Sequence, residues 1–458
     1  MPAMPKNLLF FIISGLILFH TAAVFAQNEY KPSKYELVKR LDIAPVWSGH
    51  PVGFALLTKN NIQFAAYYDA EQNFTVAQRS LNSSEWTFTK LPSKIGWDSH
   101  NYIAMAVDKD NFLHVSGNMH CVPLIYFRSE KPLDASSLKQ VKSMTGQNED
   151  RCTYPSFVNS PGKNLLFTYR DGSSGNGKQI WNTYDTASKK WTRLFDTPMF
   201  DGQDLMNAYF IGPVLGPDGF YHISWMWRDT PDCSTNHDLS YVRSKDMRHW
   251  ENSRGEPVKL PITIKTGEII DNAQPGGGLL NPAQRIGFDN EKRIIISYGK
   301  YDKDGNWQLY NVRLEKDGWK YYQTSDWHYR WDFKGGGSII GEISFSGIEI
   351  QDGKLVQTYR HIKEGSGRWF LNEQTLKPVG KAPSPVQYPK ELGKKELDFP
   401  NVFVRSAWDI QNKDEAPDTG SETRFVMYWE TQESNRDRAH PQTPPPSMLR
   451  LFEIKRVR

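Results

Sequence analysis

Two histidines, His100 and His120, have the type and spacing that proton transfer requires. They lie at the two ends of the segment WDSHNYIAMAVDKDNFLHVSGNMH, whose pattern predicts a strand, a turn and a second strand. A hairpin would bring both histidines to one end. Because histidine changes charge near neutral pH, the pair predicts an acid–base site there, and packing or surface roles are the alternative interpretation. His114, in the middle of the second strand, is predicted to be structural.

A second pair, Tyr154 and Arg170, is predicted to meet at the end of the next hairpin. Tyr154 opens the strand in CTYPSF, and Arg170 closes the strand in LLFTYRDGSSGNGK. An arginine can hold a carboxylate through two parallel hydrogen bonds, and a tyrosine can exchange a proton if a neighbouring cation lowers its pKa. The pair therefore predicts chemistry on an acidic substrate. A core aromatic residue beside a solvated arginine is the alternative.

Five further candidates suit a carbohydrate ligand. Trp47 and His50, in VWSGHPVGF, offer a platform for a sugar ring and another acid or base, with a loop histidine that caps a strand as the alternative. Asn101 adds an amide, and Arg228 and Arg330 lie in loop-like segments that are rich in aromatic residues. Aromatic faces suit sugar C–H surfaces, amides suit hydroxyls and arginines suit acidic groups, so these residues are predicted to bind substrate.

Several reaction classes lack their signatures in this sequence. No HExxH motif, dinucleotide-binding fingerprint or local Ser-His-Asp signature occurs. A glycosidase pair of carboxylates stays open, because Asp and Glu are common and their pairing is spatial. Three cysteines are too few for a disulfide framework, but Cys121 and Cys152 flank the predicted site and are candidates for one disulfide in an exported chain.

The elements that must position these residues predict an all-β fold. Aromatic residues make up 13% of the chain, and no long helical pattern occurs. The sequence repeats a plan of apolar strand, Asp-Gly or Asn-type turn, second strand and charged segment ending in Trp or Phe. Seven such units, spaced by roughly 50 to 70 residues, are typical of propeller blades. We predict a seven-bladed β-propeller in a single catalytic domain over residues 27–458, with six or eight blades as alternatives.

Residues 1–26 are predicted to be a secretory signal peptide. Lys6 precedes an apolar run over residues 8–18, and Val24 and Ala26 match the small-residue pattern before a signal-peptidase site. No later stretch reaches the ~18 apolar residues of a transmembrane helix. We therefore expect a secreted or periplasmic protein. The net charge of +4 singles out neither nucleic acid nor a membrane as a partner.

The motifs WDSHN, GNMH, TYPSF and TYRDGSSGNG, in this order, resemble those of the BNR-type seven-bladed propellers. That group includes ulvan lyases and the enzymes that release terminal L-rhamnose from glucuronic acid. The likeness covers most of the chain that follows the signal peptide. In the lyases of this group the working residues are two histidines twenty positions apart and a tyrosine and an arginine sixteen apart. His100, His120, Tyr154 and Arg170 match these positions.

The resemblance implies a division of roles. Arg170 neutralises the carboxylate of a uronic acid, while Tyr154 and the histidines remove the C5 proton and protonate the departing C4 oxygen, in an assignment that stays open. A related branch is described as a retaining α-L-rhamnosidase that uses one histidine on the opposite propeller face, and His50 resembles that histidine. The resemblance also implies structural calcium near the central channel, whereas the chemistry requires no cofactor.

Four hypotheses for function follow. The first is an exported lyase that cleaves L-rhamnose-α-1,4-D-glucuronate linkages in acidic glycans of the arabinogalactan and gum arabic type, by β-elimination at the uronic acid. The second is an ulvan lyase, which applies the same chemistry to sulfated rhamnose-uronate chains. The third is a hydrolytic α-L-rhamnosidase centred on His50, and the fourth is a non-catalytic glycan-binding propeller. Under all four hypotheses the predicted partner is an acidic polysaccharide or oligosaccharide.

Overall fold

Seven β-sheets form the seven blades of a β-propeller, so the predicted fold class and blade count are confirmed. All strand pairs within them are antiparallel except the short parallel pair of Ser33–Val46 with Val386–Gln387. The computed structural model describes residues 32–412 and 422–457. The predicted signal peptide, residues 1–26, lies outside these residues. Within them, no helix is long and apolar enough to cross a membrane.

The blades are numbered 1 to 7 in chain order, and each holds four to six strands. Blade 1 consists of Ala55–Lys59, Ile62–Tyr68, Asn73–Ser80 and Thr87–Lys94. Blade 2 consists of Ala104–Val107, Leu113–Ser116, Tyr126–Ser129 and Leu138–Gln140. Blade 3 consists of His120–Val122, Cys152–Asn159, Leu165–Ser173, Asn176–Asp185, Lys190–Arg193 and Phe200–Asp201. Blade 4 consists of Asn207–Leu215, Tyr221–Arg228, Asn236–Ser244, Trp250–Glu251 and Glu268–Asp271.

The remaining blades complete the ring. Blade 5 consists of Arg285–Phe288, Ile294–Tyr301, Trp307–Glu315 and Gly318–Gln323. Blade 6 consists of Ile343–Phe345, Glu349–Gln351, Lys354–His361, Gly365–Leu371 and Pro378–Lys381. Blade 7 consists of Ser33–Val46, Val386–Gln387, Val402–Trp408, Thr423–Gln432 and Ser447–Val457. Short 3-10 helices span Ala135–Ser137, Cys233–Thr235 and Ile410–Asn412. The core lies between the sheets, where many tryptophan and tyrosine side chains are fully buried.

An aspartate closes the same kind of tight turn at several points between strands. In blade 1, Asp69 Oδ1 accepts hydrogen bonds from the backbone N–H groups of Glu71 at 3.0 Å and Asn73 at 2.9 Å. The carboxylate thereby satisfies donors that the turn leaves without a strand partner. The same spacing recurs at Asp108, Asp289 and Asp302. These turns are the physical basis of the repeat that the sequence shows.

One strand that the repeats did not predict closes the ring. Ser33–Val46 pairs antiparallel with Ser447–Val457, so the first and last strands of the described chain lie side by side in blade 7. Its sequence, SKYELVKRLDIAPV, is rich in charge and only a few of its side chains are buried, which hides it from a hydrophobic pattern. Beyond this strand, Ser48 accepts a hydrogen bond from the Gln432 N–H at 2.8 Å. The closure therefore fixes the loop after residue 46 against the last blade.

Two buried histidines repeat one arrangement in blades 2 and 4. His114 lies 2.7 Å from the Tyr126 hydroxyl through Nδ1 and 3.2 Å from Asp108 through Nε2, so its predicted structural role agrees with its position. His222 makes the same two contacts with a tyrosine and an aspartate of blade 4. Burial lowers the pKa of both histidines, although each neighbouring aspartate opposes the shift.

We predict that acid destabilises the propeller through these two histidines. The native pKa of each lies below the unfolded value of about 6.5, so the unfolded chain binds protons first as the pH falls, and stability present at neutral pH is lost toward the native pKa. Tm should therefore drop between about pH 7.5 and pH 5.5, and glutamine at positions 114 and 222 should reduce the drop. Replacement of the exposed His328 by glutamine is the control. An identical drop in the double variant and the wild type contradicts the prediction.

Candidate active site

A cavity of about 600 Å³ opens among the loops and strand ends of blades 2, 3 and 4. This volume lies within the range of roughly 300 to 1,000 Å³ that small-molecule sites occupy. Five of the predicted residues line it, namely His100, His120, Tyr154, Arg170 and Arg228.

The two histidines reach the cavity from neighbouring sheets. The predicted hairpin forms from Ala104–Val107 and Leu113–Ser116 of blade 2, and His100 lies in the loop before it. His120 begins the strand His120–Val122, which pairs with the first long strand of blade 3. The two rings meet, with centroids 4.3 Å apart. The histidines thus share one end as expected, but the chain passes from one blade to the next between them.

Asp98 holds both imidazoles. Its Oδ1 accepts a hydrogen bond from Nδ1 of His100 at 2.6 Å, and its Oδ2 accepts one from Nδ1 of His120. Burial raises the pKa of Asp98, but the hydrogen bonds from the two histidines outweigh burial and keep that pKa below its usual range. Because an ionised carboxylate only accepts hydrogen bonds, each of the two histidines carries its proton on Nδ1 when it is in the neutral form. The Nε2 lone pairs are left for a ligand.

A second carboxylate, from a loop of blade 7, joins this network. Asp437 Oδ1 lies 3.2 Å from Nε2 of His50, and its Oδ2 lies 3.4 Å from Nδ1 of His100. It also accepts hydrogen bonds from the backbone N–H groups of Ser99 at 3.1 Å and Ser338 at 2.9 Å. Burial raises the pKa of Asp437, but the His50 hydrogen bond and the His100 charge keep that pKa below its usual range.

The expectation that His50 marks a separate site on the opposite face is wrong. His50 and His100 contact the same carboxylate, and the His50 side chain is 0% exposed, so a sugar cannot reach it. Its position suits it to orient Asp437, which in turn faces His100. Hydrolysis centred on His50 has no support in this geometry.

Tyr154 occupies a bulge at the start of its strand. The register with the next strand shifts at this point, and Tyr154 has φ of +60°, a conformation that few non-glycine residues adopt. Its ring centroid lies 5.7 Å from that of His100, and the Arg170 guanidinium lies 4.9 Å from the ring centre. The strained backbone at Tyr154 therefore places the phenol ring next to His100 and Arg170.

The pKa of Tyr154 departs from the expectation. Burial raises it well above its usual range, Tyr209 adds to the rise, and Arg170 opposes the shift less strongly. The sequence interpretation required a cation that lowers this pKa, but removal of the phenol from water has the larger effect. The hydroxyl stays protonated at neutral pH and is suited to donate a proton.

Arg170 is a buried cation without a carboxylate partner in the described residues. It is 1% exposed, and its guanidinium donates hydrogen bonds to Thr153 Oγ1 at 3.1 Å and to the Tyr209 hydroxyl at 3.3 Å. Burial of a charge without a counter-ion costs on the order of several kcal/mol. Since Arg170 also lines the cavity, the arrangement is suited to bind an anion there.

Gly177 makes room for this arginine. A Cβ atom on Gly177 would lie 2.9 Å from Cδ of Arg170 and 2.1 Å from Oδ1 of Asn207. The second glycine of the motif SGNG is therefore required by close packing behind the guanidinium.

Arg228 provides a second cation on the cavity wall. Its guanidinium lies 5.5 Å from the centre of the Tyr209 ring. Its Nε donates to the Thr230 carbonyl at 3.0 Å and its Nη1 to Asn281 Oδ1 at 3.2 Å. Like Arg170, it has no carboxylate within salt-bridge distance among residues 32–412 and 422–457. The cavity thus presents two cations whose charge a ligand can neutralise.

Three predicted substrate-binding residues lie outside the cavity. Trp47 is buried in the core, edge-on to a neighbouring tryptophan, so its ring face is not free for a sugar. Asn101 is buried, and its carbonyl accepts a hydrogen bond from the Tyr68 hydroxyl at 2.6 Å. Arg330 is exposed and stacks on Tyr301, 4.0 Å from the ring centre. The structure does not bring these three residues to the site.

Cys121 and Cys152, the candidates for a disulfide, do not form one, and all three cysteines are free. Cys152 is buried in the core of blade 3, where a thiol packs as a small apolar group. Cys121 lies at the site itself, with its Sγ 3.5 Å from Nη2 of Arg170. The two sulfur atoms therefore face different surroundings.

Asp98, His100 and His120 form the one group of three His, Cys, Asp or Glu side chains in the described chain that are close enough to share a metal ion. Their ligand atoms lie within 4.8 Å of one another. Two imidazoles suit a transition metal, whereas calcium prefers oxygen ligands, so this group does not fit the calcium that the resemblance implies. Structural calcium therefore stays a prediction without assigned ligands.

Asp98, Asp437 and Tyr209 are site residues that the sequence interpretation missed. Asp98 had a signal, because it precedes His100 by two positions in WDSH and accepts the His100 backbone N–H at 2.9 Å. An aspartate often binds the backbone two residues on, and here the same oxygen also reaches the imidazole. Asp437 and Tyr209 have no local signal, since only the ring of blades brings them to the cavity.

Comparisons with known proteins place the chain among propellers. Residues 62–327 match the family model described as BNR repeat-containing family member. No curated protein gives a significant match. One similar solved structure is the polysaccharide lyase Uly1, with a TM-score of 0.60 and 13% identity, covering 92% of this chain and 99% of that one.

A second similar structure is an ulvan lyase of polysaccharide lyase family PL25, with a TM-score of 0.57 and 14% identity, covering 90% of this chain and 95% of that one. A structure of a PL25 ulvan lyase bound to -[GlcA(1-4)Rha3S]- has a TM-score of 0.54 and 14% identity, with the same coverage. At these identities the likeness establishes the shared fold.

Proposed function

The chain belongs to the BNR repeat-containing family, and we propose that it is a polysaccharide lyase that cleaves L-rhamnose-α-1,4-D-glucuronate linkages by β-elimination. The observation that carries this proposal is Arg170, a buried cation with no carboxylate partner among the described residues, beside two imidazoles and a protonated phenol. Elimination from a uronic acid requires a cation for the carboxylate, a base for the C5 proton and an acid for the C4 oxygen. The cavity holds at least one candidate for each requirement.

In the proposed reaction, Arg170 binds the uronate carboxylate and stabilises the charge that develops on it. Nε2 of His100 or His120 accepts the C5 proton, and the electron pair of that C–H bond forms the C4–C5 double bond. The C4–O4 bond breaks, and O4 takes the proton of the Tyr154 hydroxyl. The products are a 4,5-unsaturated uronate and a sugar with a free hydroxyl. Arg170 then stabilises the phenolate of Tyr154, which lies beside its guanidinium.

The carboxylates near the cavity favour elimination over hydrolysis in this proposal. A glycosidase of the common type needs two carboxyl groups at the scissile bond. Asp98 instead uses both oxygens to hold histidines, and Asp437 is occupied by His50 and backbone donors. The carboxylates therefore orient the imidazoles, and the imidazoles are left to exchange protons.

The substrate and the location of the enzyme are part of the proposal. The motif resemblance supports the rhamnose–glucuronate linkage of arabinogalactan-type glycans. The fold neighbour that is bound to -[GlcA(1-4)Rha3S]- makes ulvan the second substrate to test. The apolar run over residues 8–18 and the small residues after it support export to the periplasm or the medium. The side chains above supply the acid, the base and the cation, so no cofactor is invoked.

We predict that incubation with gum arabic produces ultraviolet absorbance from the unsaturated uronate together with free rhamnose. The His120→Ala variant should abolish both signals, because it removes an imidazole from the cavity. The His50→Gln variant should retain both at a rate lowered about tenfold, because His50 acts on His100 only through Asp437. The same assays with ulvan measure the second substrate.

Each alternative function has a distinct outcome in these assays. Rhamnose release without ultraviolet absorbance indicates hydrolysis, and if His50→Gln abolishes that release while His120→Ala does not, the proposed lyase site is wrong. Binding of glycan without any product indicates a non-catalytic propeller. Product from ulvan and none from gum arabic keeps the elimination site and replaces the proposed substrate.

A further inference from the structure

A second cavity, of about 490 Å³, adjoins the active-site cavity and is lined by three cations. Its lining includes Lys334, Arg436 and Arg438, and Gly336 and Gly337 line both cavities. A glycan that occupies the active-site cavity therefore lies next to a basic surface, and only Gly336 and Gly337 separate the two cavities.

The three cations form no ion pair with an acid of the described residues. None of them lies within salt-bridge distance of a carboxylate in the part of the chain that the structure describes. Two acids contact the backbone of residues 335–338 and not the three cations. Asp232 Oδ1 accepts a hydrogen bond from the Gly335 N–H at 2.7 Å, and Asp437 Oδ2 accepts one from the Ser338 N–H at 2.9 Å. The positive charge of the cavity is thus available to a ligand.

Backbone contacts hold the basic cavity in shape. Nη1 of Arg436 donates to the carbonyls of Lys334 at 2.7 Å and Gly336 at 3.2 Å. Gly337 has φ of +73°, and a Cβ there would lie 2.7 Å from the Arg436 carbonyl, so only glycine allows this approach. In the sequence Arg436-Asp437-Arg438, the aspartate contacts the histidines while both arginines line the basic cavity. One short turn therefore contributes to both cavities.

We propose that Lys334, Arg436 and Arg438 form a subsite for a second anionic group of the glycan, on a sugar next to the uronate that is cleaved. This inference rests on the proposed function. The anionic group is a sulfate ester or a second uronate carboxylate, because both accept charge-assisted hydrogen bonds from guanidinium and ammonium groups. The subsite strengthens the binding of chains in which the neighbouring sugar carries an anionic group.

The test removes the charges of Lys334 and Arg438. Arg436 is left unchanged, because its side chain hydrogen-bonds to the backbone carbonyls of Lys334 and Gly336. Lys334→Gln and Arg438→Gln are combined on a Tyr154→Phe background, so that binding is measured by calorimetry without cleavage. The ligands are a sulfated rhamnose-uronate tetrasaccharide, the same tetrasaccharide after chemical desulfation, and a desulfated disaccharide with one uronate. Lys139→Gln with Arg248→Gln, two exposed cations on blades 2 and 4, is the control with the same change in net charge.

We expect the double variant to bind the sulfated tetrasaccharide about tenfold more weakly, at roughly threefold per exposed ion pair, and the control pair to bind it as before. A loss confined to the sulfated ligand identifies a sulfate subsite. An equal loss for both tetrasaccharides, but not for the disaccharide, identifies a carboxylate subsite. Unchanged affinity for all three ligands, or an equal loss in the control pair, overturns the proposal. The wild-type protein is assayed separately for unsaturated product. Weakened binding by the double variant together with a wild type that forms no such product upholds the subsite and rejects the lyase, so the two failures are distinguishable.

Discussion

Replacement of Arg170 by lysine should lower kcat/KM by a factor on the order of 10³, the size of effect seen when a donor to developing charge is lost. Lysine keeps the charge but not the planar fork that binds a carboxylate through two parallel hydrogen bonds. The measurement is the initial rate of ultraviolet absorbance on gum arabic and on ulvan. Arg313→Lys is the matched control, because Arg313 is equally buried but is paired with Asp289 and Glu315.

Stability separates a functional arginine from a structural one at this position. Arg170 is buried without a carboxylate partner in the described residues, so Arg170→Met removes a cost of burial and should leave Tm unchanged or raise it while activity is lost. Arg313→Met breaks buried ion pairs and should lower Tm. If Arg170→Lys retains activity within a few-fold of the wild type, or if Arg170→Met unfolds the protein, Arg170 has a structural role and the proposed function loses its main support.

Replacement of Asp98 by asparagine should lower kcat by about 10²- to 10⁴-fold with little change in KM, as expected when a carboxylate that fixes a histidine tautomer is lost. His100 and His120 donate to different oxygens of Asp98, and asparagine replaces one of these oxygens by an NH2 group, which cannot accept a hydrogen bond from an Nδ1–H. One imidazole must then change its tautomer or its orientation and lose the Nε2 lone pair directed at the substrate. The kinetic constants and the ¹⁵N chemical shifts of the two imidazoles measure these effects.

Asp108→Asn is the matched control for Asp98→Asn. Asp108 lies 3.2 Å from Nε2 of the buried His114 in blade 2, so it makes the same kind of carboxylate–imidazole contact away from the cavity. This control should lower Tm and leave kcat unchanged. An Asp98→Asn variant with the kcat of the wild type, or with both imidazoles in their original tautomer, is incompatible with Asp98 as the residue that orients them.

Much of the fold was predictable because its signals are local. A strand and its hairpin partner are joined by a short turn, and an aspartate such as Asp108 shapes that turn from within a few residues. The strand Ser33–Val46 escaped prediction because its partner, Ser447–Val457, lies at the other end of the chain and because few of its side chains are buried.

The candidate site likewise has a part that local sequence predicts and a part that only the structure shows. The sequence by itself determined the two pairs, His100 with His120 and Tyr154 with Arg170, because short separations along consecutive strands bring each pair to one edge. It also placed Asp98 beside His100, although that contact was recognised only in the structure.

Only the tertiary structure decided how these residues are charged and connected. Burial, which depends on packing between blades, keeps Tyr154 protonated and leaves Arg170 without a counter-ion in the described chain. Ring closure between the first and last strands brings His50 and Asp437, 387 positions apart, into contact and joins them to His100. Local pattern specifies neighbours along the chain, whereas desolvation and ring closure depend on residues from several blades at once. For that reason the sequence suggested two separate sites, whereas in the structure His50 and His100 contact the same carboxylate.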